Sequence, residues 1–156
     1  MKKIFLYETD IGKIGIVESE NSITNLYLET DLLPQDVEIK ETNLLKEAGK
    51  QLTEYLSGKT KAFNLPLSPV GTKFMNSVWK SLCNIPYGET ISYKTLAKSI
   101  GNEKATRAVG NANNKNPIPI FIPCHRVIGA NGKLIGYRGG LEVKKYLLEL
   151  EKRTKI

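Results

Sequence analysis

The chain has 156 residues, 40% of them apolar and 25% charged, and 23 Lys and Arg against 16 Asp and Glu give a net charge of +7. This composition is typical of a globular protein and excludes disordered and collagen-like chains. No apolar run reaches the roughly 20 residues that a membrane-spanning helix needs. Glu8 and Asp10 interrupt the start before a signal-peptide core can form. We therefore expect a cytoplasmic protein with no membrane partner.

The positive charge is concentrated in the C-terminal part of the chain. Residues 1–89 hold 10 basic and 12 acidic side chains, whereas residues 90–156 hold 13 basic and 4 acidic ones. This asymmetry is typical of a surface that faces a polyanion such as DNA, although an ordinary lysine-rich surface has the same composition.

The first 70 residues predict a small antiparallel sheet followed by a helix. Turn residues separate three segments that read as strands: 4–7, 12–17 and 23–28. Apolar residues at helical spacing, with Gly58 just beyond them, predict a helix over residues 43–56. Residues 63–67 predict one further edge strand. The stretch 68–71 is the expected joint with the rest of the chain.

From Thr72 onward the pattern becomes helical. An apolar stripe predicts a helix that ends before Pro86, and two short helices follow over residues 92–100 and 103–113. Two short helices about a glycine turn are the pattern of a helix-turn-helix, and plain helical hairpins share it.

Cysteine and histidine are scarce. Cys83 and Cys124 can form at most one disulfide, which a reducing cytosol disfavours, and His125 is the single histidine. These three residues are too few for a four-ligand structural zinc site, so we expect no metal. Cys83, between Leu82 and Pro86, fits a small core residue.

Cys124 lies in the most unusual segment, residues 117–129. Three prolines precede the cysteine, which excludes a regular helix and fixes the backbone locally. A free thiol has a pKa of about 8.5 and is mostly protonated at neutral pH unless a cation or imidazole lowers that value. His125 and Arg126 follow directly, which favours Cys124 as a nucleophile. Contact with His125 would need a kink or a bridging water, because neighbours on an extended chain point to opposite faces.

A histidine that acts as a base needs a group to orient it. On the helical wheel of the C-terminal segment, Glu151 falls between Leu147 and Leu148 within a broad apolar face. A carboxylate there is costly unless it is paired. Two partners remain open: Lys144 of the same helix and the imidazole of His125.

The segment Pro123-Cys124-His125-Arg126-Val127 resembles the active-site signature of the O6-alkylguanine-DNA alkyltransferases, also called methylated-DNA–protein-cysteine methyltransferases. Further motifs follow in the family's order and spacing: 88–93 (GETISY), 105–110 (ATRAVG), 116–117 (NP) and 136–140 (GYRGG). The resemblance is strong over residues 71–153. It implies an α+β protein with a ribonuclease H-like N-terminal domain, 1–70, a small antiparallel sheet with a helix. The C-terminal domain, 71–156, would be mostly helical and winged-helix-like, with a helix-turn-helix.

The resemblance implies catalytic roles. Cys124 would accept the alkyl group from O6 of guanine in duplex DNA, His125 would be its water-linked base, and Glu151 would orient the histidine. Asn116 would brace the turn that carries the cysteine. The product is a thioether, which water does not cleave, so each molecule would act once, as a monomer and without a metal or nucleotide cofactor. O4-alkylthymine is a possible second substrate.

The resemblance also implies DNA and substrate contacts. Tyr93 would help to rotate the nucleotide, and Arg107 would take its place in the base stack. Tyr137, with Arg138 and Gly139, would form the wall of the base pocket. Further DNA contacts are expected from the helix-turn-helix, at Lys94 and Asn102.

Two departures from the common family pattern affect these contacts. Arg138 stands where a small residue is common, which would narrow the pocket or add a phosphate contact. The second helix carries asparagines where many members have small or apolar residues: Asn111, Asn113 and Asn114. From the residues alone, a DNA-binding module without chemistry and a cysteine hydrolase using Cys124 and His125 remain alternatives.

Overall fold

A computed structural model describes residues 1–155. Eleven helices and strands follow in chain order: β1 (Lys3–Thr9), β2 (Gly12–Ser19), β3 (Ser22–Tyr27), β4 (Glu38–Ile39), α1 (Asn43–Leu56), α2 (Lys73–Leu82), β5 (Ile91–Ser92), α3 (Tyr93–Ser99), α4 (Thr106–Asn114), β6 (Val127–Ile128) and α5 (Leu141–Thr154). Two short 3-10 turns lie at Glu103–Ala105 and Cys124–Arg126. The predicted α+β class is confirmed. None of the helices within residues 1–155 is long and apolar enough to cross a membrane.

The N-terminal part is a four-stranded sheet covered by α1. The strand order is β3-β2-β1-β4; the first three strands pair antiparallel, and β4 joins β1 in parallel. The three predicted strands and the helix over residues 43–56 are therefore confirmed. Thr42 caps α1 by accepting a hydrogen bond from the Leu45 amide at 3.2 Å, which satisfies one of the free N–H groups of the first turn.

The edge strand predicted over residues 63–67 is wrong. Only a single bridge forms there, between Ile23 and Leu67, because Pro66 has no N–H with which to extend the ladder. The observed edge strand, β4, went unpredicted because its two exposed residues carry no apolar alternation.

The C-terminal part is helical, with α3 and α4 arranged about a turn at Gly101, whose φ of 83° suits glycine. The parallel pair of β5 and β6 aligns Ile91 with Val127 and Ser92 with Ile128. Because α3 begins directly after β5, this parallel pairing places the start of α3 beside the residues that follow β6. One apolar cluster, from Ile14 of the sheet to Leu147 of α5, runs through both parts of the chain.

Candidate active site

Cys124 begins a tight turn that its own segment holds in place. Cys124 is buried, with 5% of its surface exposed. The Ile122 amide donates to the Ile118 carbonyl at 2.9 Å, and the Cys124 amide donates to the Ile122 carbonyl at 2.8 Å. Asn116 spans the same turn: its Nδ2 donates to the Ile122 carbonyl at 2.8 Å, and its Oδ1 accepts from the Ile118 amide at 3.0 Å. This geometry fits the bracing role expected of Asn116.

The environment of Cys124 keeps its sulfur protonated. Burial raises the pKa of the Cys124 thiol, and the Asn116 side chain and the charges of Arg138 and Lys144 offset only part of that effect. A thiol with a raised pKa is a poor nucleophile until a base removes its proton.

His125 is a buried imidazole with one nitrogen engaged and one free. Its Nε2 lies 2.8 Å from Oε2 of Glu151. Because a carboxylate can only accept, this contact assigns the proton to Nε2 and leaves the lone pair on Nδ1. Nδ1 is buried and has no hydrogen-bond partner within residues 1–155. Burial lowers the pKa of His125 despite the opposing effect of Glu151, so the ring is neutral at pH 7.

Glu151 receives donors on both oxygens. Arg126 binds it bidentately, with Nε to Oε1 and Nη2 to Oε2, both at 2.9 Å. The Gly88 amide donates to Oε1 at 3.1 Å, and the Tyr55 hydroxyl donates to Oε2. Burial alone would raise the pKa of Glu151, but the hydrogen bonds from His125, Arg126 and Tyr55 outweigh it and hold the pKa far below its ordinary value. The carboxylate is therefore ionised.

Lys144 is not the partner of Glu151. Its ammonium is buried and donates to the carbonyl oxygens of Val127 at 2.7 Å and Ile135 at 2.9 Å, with a longer contact to Gly136 at 3.4 Å. Burial lowers its pKa to about 8. Of the two pairings that the sequence leaves open, the structure therefore shows the one with His125. The structure also leaves Leu141, a member of the predicted apolar face of α5, about half exposed, and Cys83 is exposed, so its interpretation as a core residue is wrong.

A small cavity of about 10 Å³ adjoins the cysteine, with room for little more than one water molecule. Its walls include Leu28, Asn113, Asn116, Cys124, Tyr137 and Arg138. Within residues 1–155, the Tyr137 hydroxyl and Oδ1 of Asn113 are buried without a hydrogen-bond partner. An open depression of about 280 Å³ shares Asn114 with the cavity and is lined by Tyr93, Gly110 and Gly136.

Arg138 and Gly139 tie the pocket wall to the N-terminal part. Nε of Arg138 lies 3.0 Å from Oδ1 of Asp31, Nη1 donates to the Asn116 carbonyl at 2.7 Å, and Nη2 donates to the Leu26 carbonyl at 3.1 Å. These contacts favour the pocket-narrowing interpretation of Arg138 over a phosphate contact. A Cβ at Gly139 would lie 2.6 Å from the Leu28 side chain, so a larger residue there would have to displace this buried leucine.

The expected DNA-contacting residues lie on the helix-turn-helix. Lys94, Asn102 and Arg107 are exposed. Tyr93 is half-buried and donates from its hydroxyl to the Ile135 carbonyl at 3.1 Å, which joins α3 to the pocket loop. These positions remain predictions of DNA contact.

The three asparagines of α4 do not share one environment. Asn111 and Asn114 are exposed, whereas Asn113 is buried and directs its Nδ2 to the Cys124 carbonyl at 3.4 Å. Asn113 therefore belongs to the cysteine pocket and not to a groove-facing surface.

With this geometry established, the chain was compared with known proteins. The family described as 6-O-methylguanine DNA methyltransferase matches in two parts: its ribonuclease-like domain over residues 3–69 and its DNA binding domain over residues 73–153. The chain belongs to the methylated-DNA–protein-cysteine methyltransferase family. The resemblance inferred from the motifs is thus confirmed, together with the ribonuclease-like and DNA-binding fold classes of its two parts.

Relatives cover nearly the whole chain. The methylated-DNA–protein-cysteine methyltransferase of Methanosarcina barkeri is 50% identical over 153 residues, 96% of each chain. The constitutive Bacillus subtilis protein of the same name is 48% identical over 152 residues, covering 93% of this chain and 92% of that protein. The crystal structure of Mycobacterium tuberculosis OGT in complex with DNA aligns with a TM-score of 0.93 at 41% identity, over 97% of this chain and 94% of that one.

Two residues that contact Glu151 were missed by sequence reasoning. Arg126 was noted only as a neighbour of the cysteine, although its place in the signature gave a signal. Tyr55 gave no sequence signal, because it fits the apolar stripe of α1 and lies 96 positions from Glu151 in the chain. Asp31, the partner of Arg138, was also missed, since an acidic residue in a turn is ordinary.

Proposed function

We propose that the protein repairs alkylated DNA by transferring the alkyl group from O6 of guanine to Sγ of Cys124. The observation that carries this proposal is a buried cysteine beside a small cavity, followed by a neutral His125 whose tautomer an ionised Glu151 fixes. Membership of the family supports the same activity, because relatives of about 50% identity carry the name of that reaction.

In the proposed reaction, Nδ1 of His125 accepts the thiol proton of Cys124 through a water molecule. The thiolate attacks the saturated alkyl carbon, so that an S–C bond forms as the C–O6 bond breaks. The bonding pair stays on O6, and N1 of the guanine takes up the proton that His125 gives up again through water, so that ordinary guanine forms and His125 returns to neutral. The charge on His125 is transient, and Glu151 stabilises it at 2.8 Å.

The same chemistry makes each molecule act once. A thioether has no electrophilic carbonyl for water to attack, so the methylated Cys124 cannot be regenerated by hydrolysis. A thiol in a reducing compartment stays available for this single transfer, which supports a cytoplasmic location. We also propose that the protein acts as a monomer and that it consists of two domains, residues 1–70 and residues 71–156.

O6 of guanine lies inside the duplex, so the nucleotide must leave the stack, at a cost of a few kcal/mol. In this proposal Arg107, which is exposed on α4, fills the gap, and Tyr93, which lines the open depression, guides the rotating nucleotide toward the cavity. A cavity of about 10 Å³ is smaller than a guanine, so the Tyr137–Gly139 wall must move outward when the base enters. The unpartnered polar atoms of Asn113 and Tyr137 would then meet the base.

The decisive experiment treats the full chain with a duplex that contains one O6-methylguanine. We expect the Cys124 peptide to gain the mass of one methylene, with one equivalent transferred per protein. Cys83→Ala should react normally, and Cys124→Ala should not react. An unmodified thiol with equal binding to damaged and undamaged duplex would indicate a DNA-binding module, and repeated turnover of an ester would indicate a hydrolase.

A further inference from the structure

We propose that Tyr55 of α1 is a positioning residue for alkyl transfer, because its hydroxyl fixes the Glu151 oxygen that holds His125 in its proton-accepting tautomer. This inference rests on the proposed function and assigns a part in the reaction to the N-terminal region. Tyr55 touches neither the sulfur nor the substrate cavity, so it would act only through Glu151 and His125.

The geometry places one carboxylate oxygen between two donors. The Tyr55 hydroxyl donates to Oε2 of Glu151, and Nε2 of His125 lies 2.8 Å from the same oxygen. The hydroxyl and Nε2 are themselves 3.4 Å apart. All three side chains are buried, so water does not compete for this oxygen. The direction in which Oε2 faces the imidazole is therefore set by the hydroxyl as well as by Arg126.

Packing prevents the Tyr55 hydroxyl from leaving this position. The ring centroid lies 5.0 Å from that of Phe63 and 6.2 Å from that of Tyr87, the latter nearly perpendicular. Tyr55 is completely buried, and a buried hydroxyl without an acceptor is costly. The aromatic contacts thus fix the ring of Tyr55, and the Glu151 carboxylate fixes its hydroxyl.

The hydroxyl also moderates the basicity of His125. Each donor that Oε2 already accepts weakens its pull on a second imidazole proton, so removal of the Tyr55 hydroxyl should raise the pKa of His125. The titratable and charged groups that face Tyr55 and His125 come from several elements: Glu151 and Lys144 of α5, Arg126 of the cysteine turn, and Tyr87. Among these groups, the hydroxyl that Tyr55→Phe removes contacts Glu151 and His125.

The test compares Tyr55→Phe with a matched control, Tyr87→Phe, in the full chain. Both variants keep an aromatic ring and lose a hydroxyl that bonds to α5, but Tyr87 binds Thr154 and not Glu151. Two quantities are measured: the second-order rate constant of methyl transfer over about pH 5 to 9, and the imidazole ¹⁵N spectrum of His125 without DNA.

For Tyr55→Phe we expect a rate at neutral pH that is lower by roughly tenfold, an acid limb displaced to higher pH, and a mixture of His125 tautomers. Tyr87→Phe should keep the wild-type profile and a single Nε2–H tautomer. An unchanged profile and spectrum in Tyr55→Phe, or equal changes in both variants, would overturn the inference. Failure of the proposed function is distinct, since the wild-type protein would then transfer no methyl group at all.

Discussion

At the scale of single residues, the site depends on the carboxylate of Glu151. Its two oxygens accept from an imidazole, a guanidinium, a hydroxyl and a backbone amide, which explains why a charge is tolerated in a buried place. The amide belongs to Gly88, whose φ of 78° favours glycine there. In the proposed reaction the negative charge would stabilise the imidazolium that forms while His125 holds the thiol proton.

Replacing Glu151 with Gln tests this role. We expect the rate of methyl transfer to fall about 100-fold, because the imidazolium loses its counter-charge. The free energy of unfolding should fall by about 3–5 kcal/mol, because Arg126 is left buried without a carboxylate. Transfer kinetics beside a denaturation curve separate the two effects. Glu149→Gln, which alters an exposed residue of the same helix, is the control; a wild-type rate in Glu151→Gln would contradict the role.

Residue types near Glu151 did not decide its partner. Lys144 and His125 both fit the helical wheel and the chemistry. The lysine has a long flexible stem and reaches backbone carbonyls of the segment that precedes α5, whereas the short imidazole is brought to Glu151 by the turn of the cysteine. The choice depends on distances across the fold, which a wheel does not contain.

At the scale of elements, the proline-rich segment and the helix-turn-helix carry the site. The Asn116 side chain closes the turn before Cys124, and the pairing of β5 with β6 sets the start of α3 beside the residues that follow Ile128. In the first turn of α4, Thr106 lines the open depression, and its neighbour Arg107 is exposed. The proposed base-flipping residue is thus next in sequence to a residue that lines the depression, which shares Asn114 with the cavity at Cys124.

Arg107→Ala separates flipping from chemistry. We expect transfer from duplex O6-methylguanine to slow by tenfold or more, since unstacking costs a few kcal/mol that the arginine offsets. Transfer from the free base should be unchanged, because no stack is opened. Lys115→Ala removes an exposed charge just after α4 and should affect both substrates little. Equal loss on duplex and free base in Arg107→Ala would rule out the flipping role.

At the scale of the whole molecule, part of the C-terminal positive charge is internal. Arg126 and Lys144 are buried, and Arg138 is paired with Asp31 of the N-terminal part. The surface that would hold phosphates is consequently less positive than the composition of residues 90–156 suggests. Arg138 joins the two parts of the chain, whereas Arg126 binds Glu151 and Lys144 binds the segment that precedes α5.

The buried His125 and Glu151 make stability depend on pH. The pKa of His125 is lowered from 6.5, so the unfolded chain binds its proton more readily and stability falls below about pH 6.5. The pKa of Glu151 is lowered from 4.5, so the stability that this group contributes at neutral pH is lost as the pH falls below that value. We expect Tm to decrease steadily from about pH 7 to pH 4. The Tm of Glu151→Gln should fall less below pH 4.5, because the variant has no carboxylate to protonate there. A wild-type Tm that does not change with pH would contradict this explanation.

The sequence by itself determined the family and the fold class, and it singled out Cys124 as the proposed nucleophile. Local patterns carry these features: turn residues and helical spacing define elements, and the Pro-Cys-His-Arg-Val signature lies within five consecutive positions. Only the tertiary structure decided that Tyr55 and Arg126 share Glu151, that Arg138 binds Asp31, and that Asn113 belongs to the pocket. Most of these contacts join residues far apart in the chain, and a hydrogen bond depends on distance and direction in space, which residue type and spacing do not encode.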